Sequence, residues 1–308
     1  VARIGVLVHR IESLPNVLHL VYNPVAGRGR AALALERTRA FLESAGVPYA
    51  LVATDGPGHA TEHTRALPPG ATVVAMGGDG TVHEVARGMV LGGPTDKVLA
   101  TLPVGSGDDF AFAMGIPRED LDAALQRLVT GTVTAIDLGD VNGEPFVNSL
   151  GIGFDAEVAH RVAHAPRYLK GLAAYLYAVV TTLGRLDTSH VTVTIDGVEA
   201  HAGKALLVAC QNGPRTGGSF LFAPDARNDD GLLDVVVAGD FDKLGTLGIL
   251  PKVMRGRHVG HPKVHLFRGR DVQVTWERPQ HAHAEGEHLP ASTSFHVTLR
   301  PGALKVLH

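Results

Sequence analysis

The chain has 308 residues, 45% of them apolar and 19% charged, with a formal net charge of −3. That supply of apolar side chains suits one large domain or two smaller ones and excludes global disorder. The slightly negative balance argues against a dedicated nucleic-acid binder, and the single cysteine excludes a disulfide framework and a cysteine-based zinc site.

The lone Cys210, within Val-Ala-Cys-Gln, reads as a core thiol and fits a reducing, cytoplasmic setting. At the N-terminus, the apolar Ile4–Val8 is cut short by His9, Arg10 and Glu12, so no secretion signal is expected there. The longest apolar run, Leu172–Val180, is far shorter than the roughly 20 residues a spanning helix needs.

In chain order, Val17–Tyr22 predicts a first buried strand, closed by the turn-rich Asn23-Pro24-Val25-Ala26-Gly27-Arg28-Gly29. A helix follows to Ser44, with Gly46 as its stop. Leu51–Ala53 reads as a short strand and Ala60–Ala66 as a short helix. Val73–Met76 is a third strand, and a helical pattern from Val82 to Leu91 comes after Gly77-Gly78-Asp79-Gly80-Thr81. Val98–Leu102 is a fourth strand, ending at Gly105-Ser106-Gly107-Asp108-Asp109, and Leu121–Val129 is helical again. This alternation predicts a doubly wound, Rossmann-like parallel sheet with helices on both faces. Ligands bind such sheets at the carboxyl ends of the strands, where three of these loops lie.

After Thr132 the texture changes. Asn142-Gly143 and Asp196-Gly197 signal two-residue hairpins. Further strands are expected at Val147–Leu150, Val191–Ile195, Val198–His201, Lys204–Gln211, Leu233–Val237, Val264–Phe267 and Val272–Trp276. Leu169, Leu172, Ala173, Leu176, Val180 and Leu183 recur at helical spacing, and Lys243–Met254 reads as a surface helix. The expectation is an antiparallel β domain over 139–294, following an α/β domain over 1–138. The β-like Phe295–Leu307 belongs to either.

Gly77-Gly78-Asp79-Gly80-Thr81 is the most informative stretch. A strand turning sharply into a helix leaves backbone N–H groups and the helix dipole at the turn, and glycines let a phosphate approach. Asp79 would repel that phosphate unless a divalent cation lay between them. The chain contains no G-x-x-x-x-G-K-[ST], so this is not a P-loop.

Together with Asn23-Pro24-x-Ala26-Gly27, Gly105–Ala111, Gly151-Ile152-Gly153-Phe154-Asp155, Asp229–Asp234 and Glu285-Gly286-Glu287, this loop resembles the motif series of bacterial diacylglycerol-kinase-type lipid kinases. Sphingosine and ceramide kinases share the same catalytic module. The resemblance implies an N-terminal α/β domain like that of NAD kinases and phosphofructokinases, a C-terminal β-sandwich, and a last strand (295–308) returning to the first domain. It implies transfer of the ATP γ-phosphoryl group to a hydroxyl of a lipid such as diacylglycerol, with Mg²⁺. By position, Asn23, Gly77, Gly78, Gly80, Thr81, Ser106 and Glu287 would line the nucleotide. Asp79, Asp109 and Asp137 would organise Mg²⁺ through water. Asp229, Asp230 and the Leu232 carbonyl would hold a structural Mg²⁺, or the stretch would be an Asp-rich hairpin turn. Asp155 would contact the acceptor headgroup or serve as a helix N-cap, and Glu285 would be the general base.

Two residues depart from the family pattern. Glu285 stands where the family has Asp, one methylene shorter, and Asp108 stands where it usually has Asn. These departures keep open a catalytically weak nucleotide- or lipid-binding regulator, beside a kinase of NAD or another soluble metabolite. His281, His283 and His288 read as exposed or packed rather than zinc-binding. Trp276 and Tyr175 read as core or interface aromatics, and Arg215–Arg227 as a sparse basic rim. Arg161, Arg167, Lys170 and Arg185 around the apolar helix read as basic flanks of a packed helix before a helix resting on an anionic membrane. The expected partners are a lipid met at the membrane surface and, in a homodimer, a second copy.

Overall fold

The computed structural model describes residues 17–91, 93–166, 169, 172–184 and 188–308. The readings of the N-terminal apolar stretch, of Arg167, Lys170 and Arg185, and of the Tyr175 side chain lie outside the described residues.

The first half runs β1 (Leu18–Tyr22), a 3-10 turn (Ala26–Gly29), α1 (Arg30–Ser44), β2 (Tyr49–Ala53), α2 (His59–Ala66), β3 (Thr72–Gly77), α3 (Asp79–Val90), β4 (Val98–Pro103), α4 (Asp109–Ala113) and α5 (Leu121–Thr130). The four strands are parallel in the order β2-β1-β3-β4. Every residue of β3 is buried, as a strand covered on both faces must be. The chain leaves β1 toward one edge and β3 toward the other, so the order switches between them. A crevice opens at such a switch point, beyond the strand ends.

The second half runs β5 (Val133–Val141), β6 (Glu144–Phe146), β7 (Ser149–Gly153), α6 (Phe154–Ala163), α7 (Leu172–Gly184), β8 (Ser189–Ile195), β9 (Val198–Gln211), β10 (Leu233–Gly239), α8 (Lys243–Val253), β11 (Val264–Gly269), β12 (Asp271–Ala284) and β13 (Glu287–Leu307). Leu233, Val235 and Val237 alternate into the core between the strand layers, with Cys210, Trp276 and Phe295. Val236 and Ala238, on the opposite face, pack with Val179, Ile249 and Val253 of α7 and α8. The strands here are therefore buried on both faces, one against strands and one against helices. The two halves are an α/β layer and a β-sandwich-like layer.

β13 joins them. Its first part pairs antiparallel with β12 and its middle with β5, and Lys305 and Val306 pair parallel with Val98 and Leu99 of β4. Among the described residues thirteen strands thus form one continuous hydrogen-bonded sheet system.

Local details differ from the pattern read from the sequence. α3 starts at Asp79, not Val82, because its first turn is glycine-rich and shows no apolar period. Val198–His201 and Lys204–Gln211 belong to one strand, β9, and β12 runs on to Ala284. The β5–β6 and β8–β9 turns carry positive φ at Asn142 and Gly143 and at Asp196 and Gly197, as a type I′ turn demands.

Candidate active site

Three loops converge at the switch point. Asn23 follows β1, and its Nδ2 donates to Thr81 Oγ1 at 3.2 Å, on the far side of the crevice in α3. Gly77 makes this contact possible, since a Cβ there would stand 2.1 Å from Thr81 Oγ1. Gly78 and Gly105 pack backbone to backbone, and a Cβ on Gly105 would lie 2.4 Å from Gly78 Cα. The loops after β3 and β4 are therefore fitted to each other. Thr81 and Val82 make the first hydrogen bonds of α3, to Gly78 O at 3.0 and 3.1 Å, so the Asp79 and Gly80 amides precede the helical ladder. Ser106 is exposed in the second loop. This backbone-lined cradle fits phosphoryl oxygens.

Asp79 Oδ1 accepts from the amides of Asp109 (2.6 Å) and Phe110 (3.1 Å), at the start of α4. Oδ2 faces Gly107, where a Cβ would stand 2.6 Å away; among the described residues no donor meets it. Burial raises the Asp79 carboxyl from an ordinary 3.8 to about 7, helped by the charge of Asp109 and, less, of Glu285 and Asp108. Burial likewise pushes Asp108 and Glu285 up. An oxygen-only donor set with an excess of negative charge fits a hard divalent cation, which takes one or two carboxylates and draws its other oxygens from phosphates and water. Among the described residues no group of three or more His, Cys, Asp or Glu side chains forms a ready-made metal site.

Asp109 is held from the other half of the molecule. Arg215 Nε donates to its Oδ1 at 2.7 Å, and the Gly218 amide donates to both oxygens at 3.0 Å. Arg215 Nη2 also donates to Gly107 O and Asp108 O at 3.0 Å, and the guanidinium lies 4.1 Å from the Phe112 ring centroid. Arg215, part of a sparse basic rim in the sequence, thus closes the loop after β4. Its only local signal is a lone arginine among turn residues. Asp108 replaces a neutral amide yet is accommodated: Oδ1 accepts from Gly105 N at 3.0 Å and Oδ2 faces Arg118 Nε at 3.5 Å.

Glu285 occupies the tip of the β12–β13 hairpin. Its Oε1 accepts from the Asn148 and Ser149 amides at 2.6 and 3.0 Å. Glu287, first residue of β13, brings Oε1 to 3.5 Å from where a Cβ of Gly80 would stand. The tip therefore lies over the N-terminus of α3, beside Asp79.

Two of the expected cation-ligand sets are engaged by protein groups. Asp137 is not joined to Asp79 or Asp109 by any hydrogen bond or ion pair among the described residues. Its oxygens accept from Gly231 N (2.7 Å) and Gly302 N (2.8 Å), which tie β5 to β13 and to the loop before β10. The acids of that loop have protein partners as well: Asp229 is paired by Arg227 at 3.0 Å and Asp230 by Arg268, and Asp230 Oδ1 accepts from Leu232 N at 3.1 Å. Asp155 sits in the first turn of α6, whose N-cap is Gly153. Its Oδ1 is buried without a hydrogen-bond partner. His283 is buried, whereas His281 and His288 are exposed and pack against the His160 ring.

Residues 17–141 match the model of the diacylglycerol kinase catalytic domain, and residues 148–308 that of the YegS C-terminal NAD kinase beta sandwich-like domain. The diacylglycerol kinase of Mycobacterium tuberculosis is 32% identical over 92% of this chain and 93% of its own. The Pseudomonas aeruginosa protein named "Probable lipid kinase YegS-like" is 36% identical over 77% of this chain and 76% of its own. A Bacillus anthracis diacylglycerol kinase structure superposes with a TM-score of 0.71 at 21% identity, covering 95% of this chain and 97% of its own. An Archaeoglobus fulgidus NAD kinase in complex with ATP gives 0.52 at 12% identity, covering 95% and 93%, which speaks for a shared fold alone. With both domain models in order along one chain and relatives above 30% identity over most of its length, the chain belongs to the bacterial diacylglycerol kinase family of lipid kinases.

Proposed function

We propose that this lipid kinase transfers the γ-phosphoryl group of ATP to a hydroxyl of a lipid such as diacylglycerol, with Mg²⁺. The observation that carries the reading is the placement of Glu285 over the N-terminus of α3, beside Asp79 and the backbone cradle of Gly77–Thr81 and Ser106. Asn23, Thr81 and Glu287 border the same cradle. A bound Mg²⁺ supplies charge neutralisation among the phosphoryl oxygens, and Asp79 with Asp109 would hold it there. Glu285 accepts the acceptor hydroxyl proton as the new O–P bond forms and the bond to ADP breaks. Burial raises its carboxyl, the direction that makes it a stronger proton acceptor. Asp155, which faces His283 behind the hairpin tip, has a buried Oδ1 without a hydrogen-bond partner and would contact the acceptor headgroup.

The lipid is met at the membrane surface. Among the described residues no helix is long and apolar enough to cross a membrane, and Tyr177 and Val180 of α7 are exposed. The test is ATP-dependent phosphorylation of 1,2-dioleoylglycerol in mixed micelles, run beside lipid extracts, NAD and sugar phosphates. Glu285→Gln is expected to lower kcat by about 10²-fold or more while ATP still binds. Turnover of a soluble metabolite in preference to every lipid would overturn the reading. So would ATP binding with no transfer, the outcome expected of a regulator.

A further inference from the structure

The hairpin tip that carries Glu285 has an uncommon backbone. Glu285 and Gly286 stand at φ of 56° and 88°. Glycine adopts that region freely; a glutamate does so only where its surroundings hold it. Two anchors hold Glu285 to β7: its amide donates to Ser149 O at 3.0 Å, and its Oε1 accepts from the Asn148 and Ser149 amides. The third anchor is a side chain. The Gly286 amide, on an exposed residue, donates to His283 Nδ1 at 3.1 Å.

His283 is itself tightly placed. It is 3% exposed, and its Nε2 faces Asp155 Oδ2 at 3.4 Å. Both groups occupy space vacated by Gly151, where a Cβ would stand 1.9 Å from Asp155 Oδ2 and 2.6 Å from His283 Nε2. A ring nitrogen that accepts an N–H bond carries no proton of its own, so the proton sits on Nε2, toward Asp155. The chain of contacts therefore runs Asp155, His283, Gly286 amide, Glu285.

We propose that His283, oriented by Asp155 in the space left by Gly151, is a positioning residue for phosphoryl transfer: it fixes the Gly286 amide and so the approach of the Glu285 carboxylate to the acceptor hydroxyl. Asp155 then acts through His283, in addition to any contact with the acceptor. This inference rests on the reading of Glu285 as the base. It goes beyond that reading in naming what holds the base in place.

Asparagine and glutamine separate the two nitrogens of the imidazole. Asn places an oxygen near the Nδ1 position and can accept from Gly286. Gln places its polar end near Nε2 and reaches only toward Asp155. With 1,2-dioleoylglycerol and ATP·Mg²⁺ as substrates, His283→Asn is expected to keep kcat within a few-fold of the parent. His283→Gln and His283→Leu should each lose roughly tenfold or more in kcat, with KM for ATP little changed, because misplacing a reacting group acts on the chemical step. Amide hydrogen exchange in the segment 284–288 supplies a readout independent of turnover: protection should survive in the Asn variant and fall in the Gln and Leu variants.

Equal rates and equal exchange in the Asn and Gln variants would overturn the inference, and their comparison stands even if the Leu variant does not fold. Glu285→Gln distinguishes the two levels. If it is inactive while His283→Gln is fully active, the positioning role alone falls. If Glu285→Gln turns over at the parent rate, the base assignment falls and takes the positioning role with it.

Discussion

Asp79 shows how one side chain serves structure and chemistry at once. Oδ1 caps the two leading amides of α4, while Oδ2 is left for another partner. Its carboxyl is raised because burial and three neighbouring acids oppose its charge. For stability the sign is clear. A carboxyl whose folded pKa exceeds its unfolded one favours the folded state at low pH, and that stability is lost as pH rises from about 3.8 to about 7. The cation-free protein is therefore expected to gain stability through this group as pH falls across that window. Asp79→Asn should raise the melting temperature of the cation-free protein at pH 8, yet lower kcat by about 10²-fold or more. An unchanged kcat would remove Asp79 from the catalytic machinery. A lower melting temperature would show that its capping bonds outweigh its buried charge.

Arg215 is the other residue on which the site depends. It comes from the turn after β9, in the β-rich half, and its bonds end on the loop after β4. Its side chain and that of Asp109 are 13% and 7% exposed, so removing one partner leaves the other poorly solvated. Arg215→Ala is expected to cost about 3 kcal/mol of stability, and Arg215→Lys to recover only part, because a single ammonium cannot replace a planar fork over the Phe112 ring. Denaturant titration of the three proteins would measure both effects.

Among the elements, the loops after β3 and β4 work as one unit. Their apposition at Gly78 and Gly105 is closer than any Cβ permits. Gly105→Ala should separate the loops, cost about 1–3 kcal/mol, and abolish nucleotide binding while leaving the parallel sheet intact. Calorimetry with ATP·Mg²⁺ would detect that loss. Retained affinity would mean that the nucleotide does not sit in this cradle. The β12–β13 hairpin is the complementary element. Its two-residue turn delivers Glu285 to the opposite wall of the crevice, and β7 and His283 hold it there.

For the whole molecule, β13 is the physical link between halves. It begins in the β-rich half beside the hairpin tip and ends buried against β4 with Leu304, Val306 and Leu307. Deleting residues 301–308 would expose that edge and forfeit roughly 1.5–3 kcal/mol for each of these three side chains. Cys210 offers a reporter on the far side of the link. It is fully buried and its thiol is pushed up to about 12, so alkylation requires opening of the β-rich core. If the two halves unfold together, the truncation should speed Cys210 alkylation by about tenfold or more; an unchanged rate would show that they unfold independently.

The sequence alone determined the class of each element and the loops that matter. Buried parallel strands, glycine-rich junctions and type I′ dipeptides are local in origin: backbone sterics and the period of apolar residues write them into neighbouring positions. The turn at Asn23 and the loop Gly77–Thr81 are legible for that reason, whereas the Glu285 triplet is legible only through its resemblance to the family's motif. What only the tertiary structure decided was where charge is neutralised. Asp137, Asp229 and Asp230 resemble cation ligands in sequence, and the fold brings them to Gly231 and Gly302, to Arg227 and to Arg268. Arg215 reaches Asp109 across 106 positions, and His283 of β12 meets Asp155 of α6 only because Gly151 leaves room for both side chains. A carboxylate's partner is set by whatever the fold brings within hydrogen-bonding distance, and no pattern of neighbouring residues carries that distance.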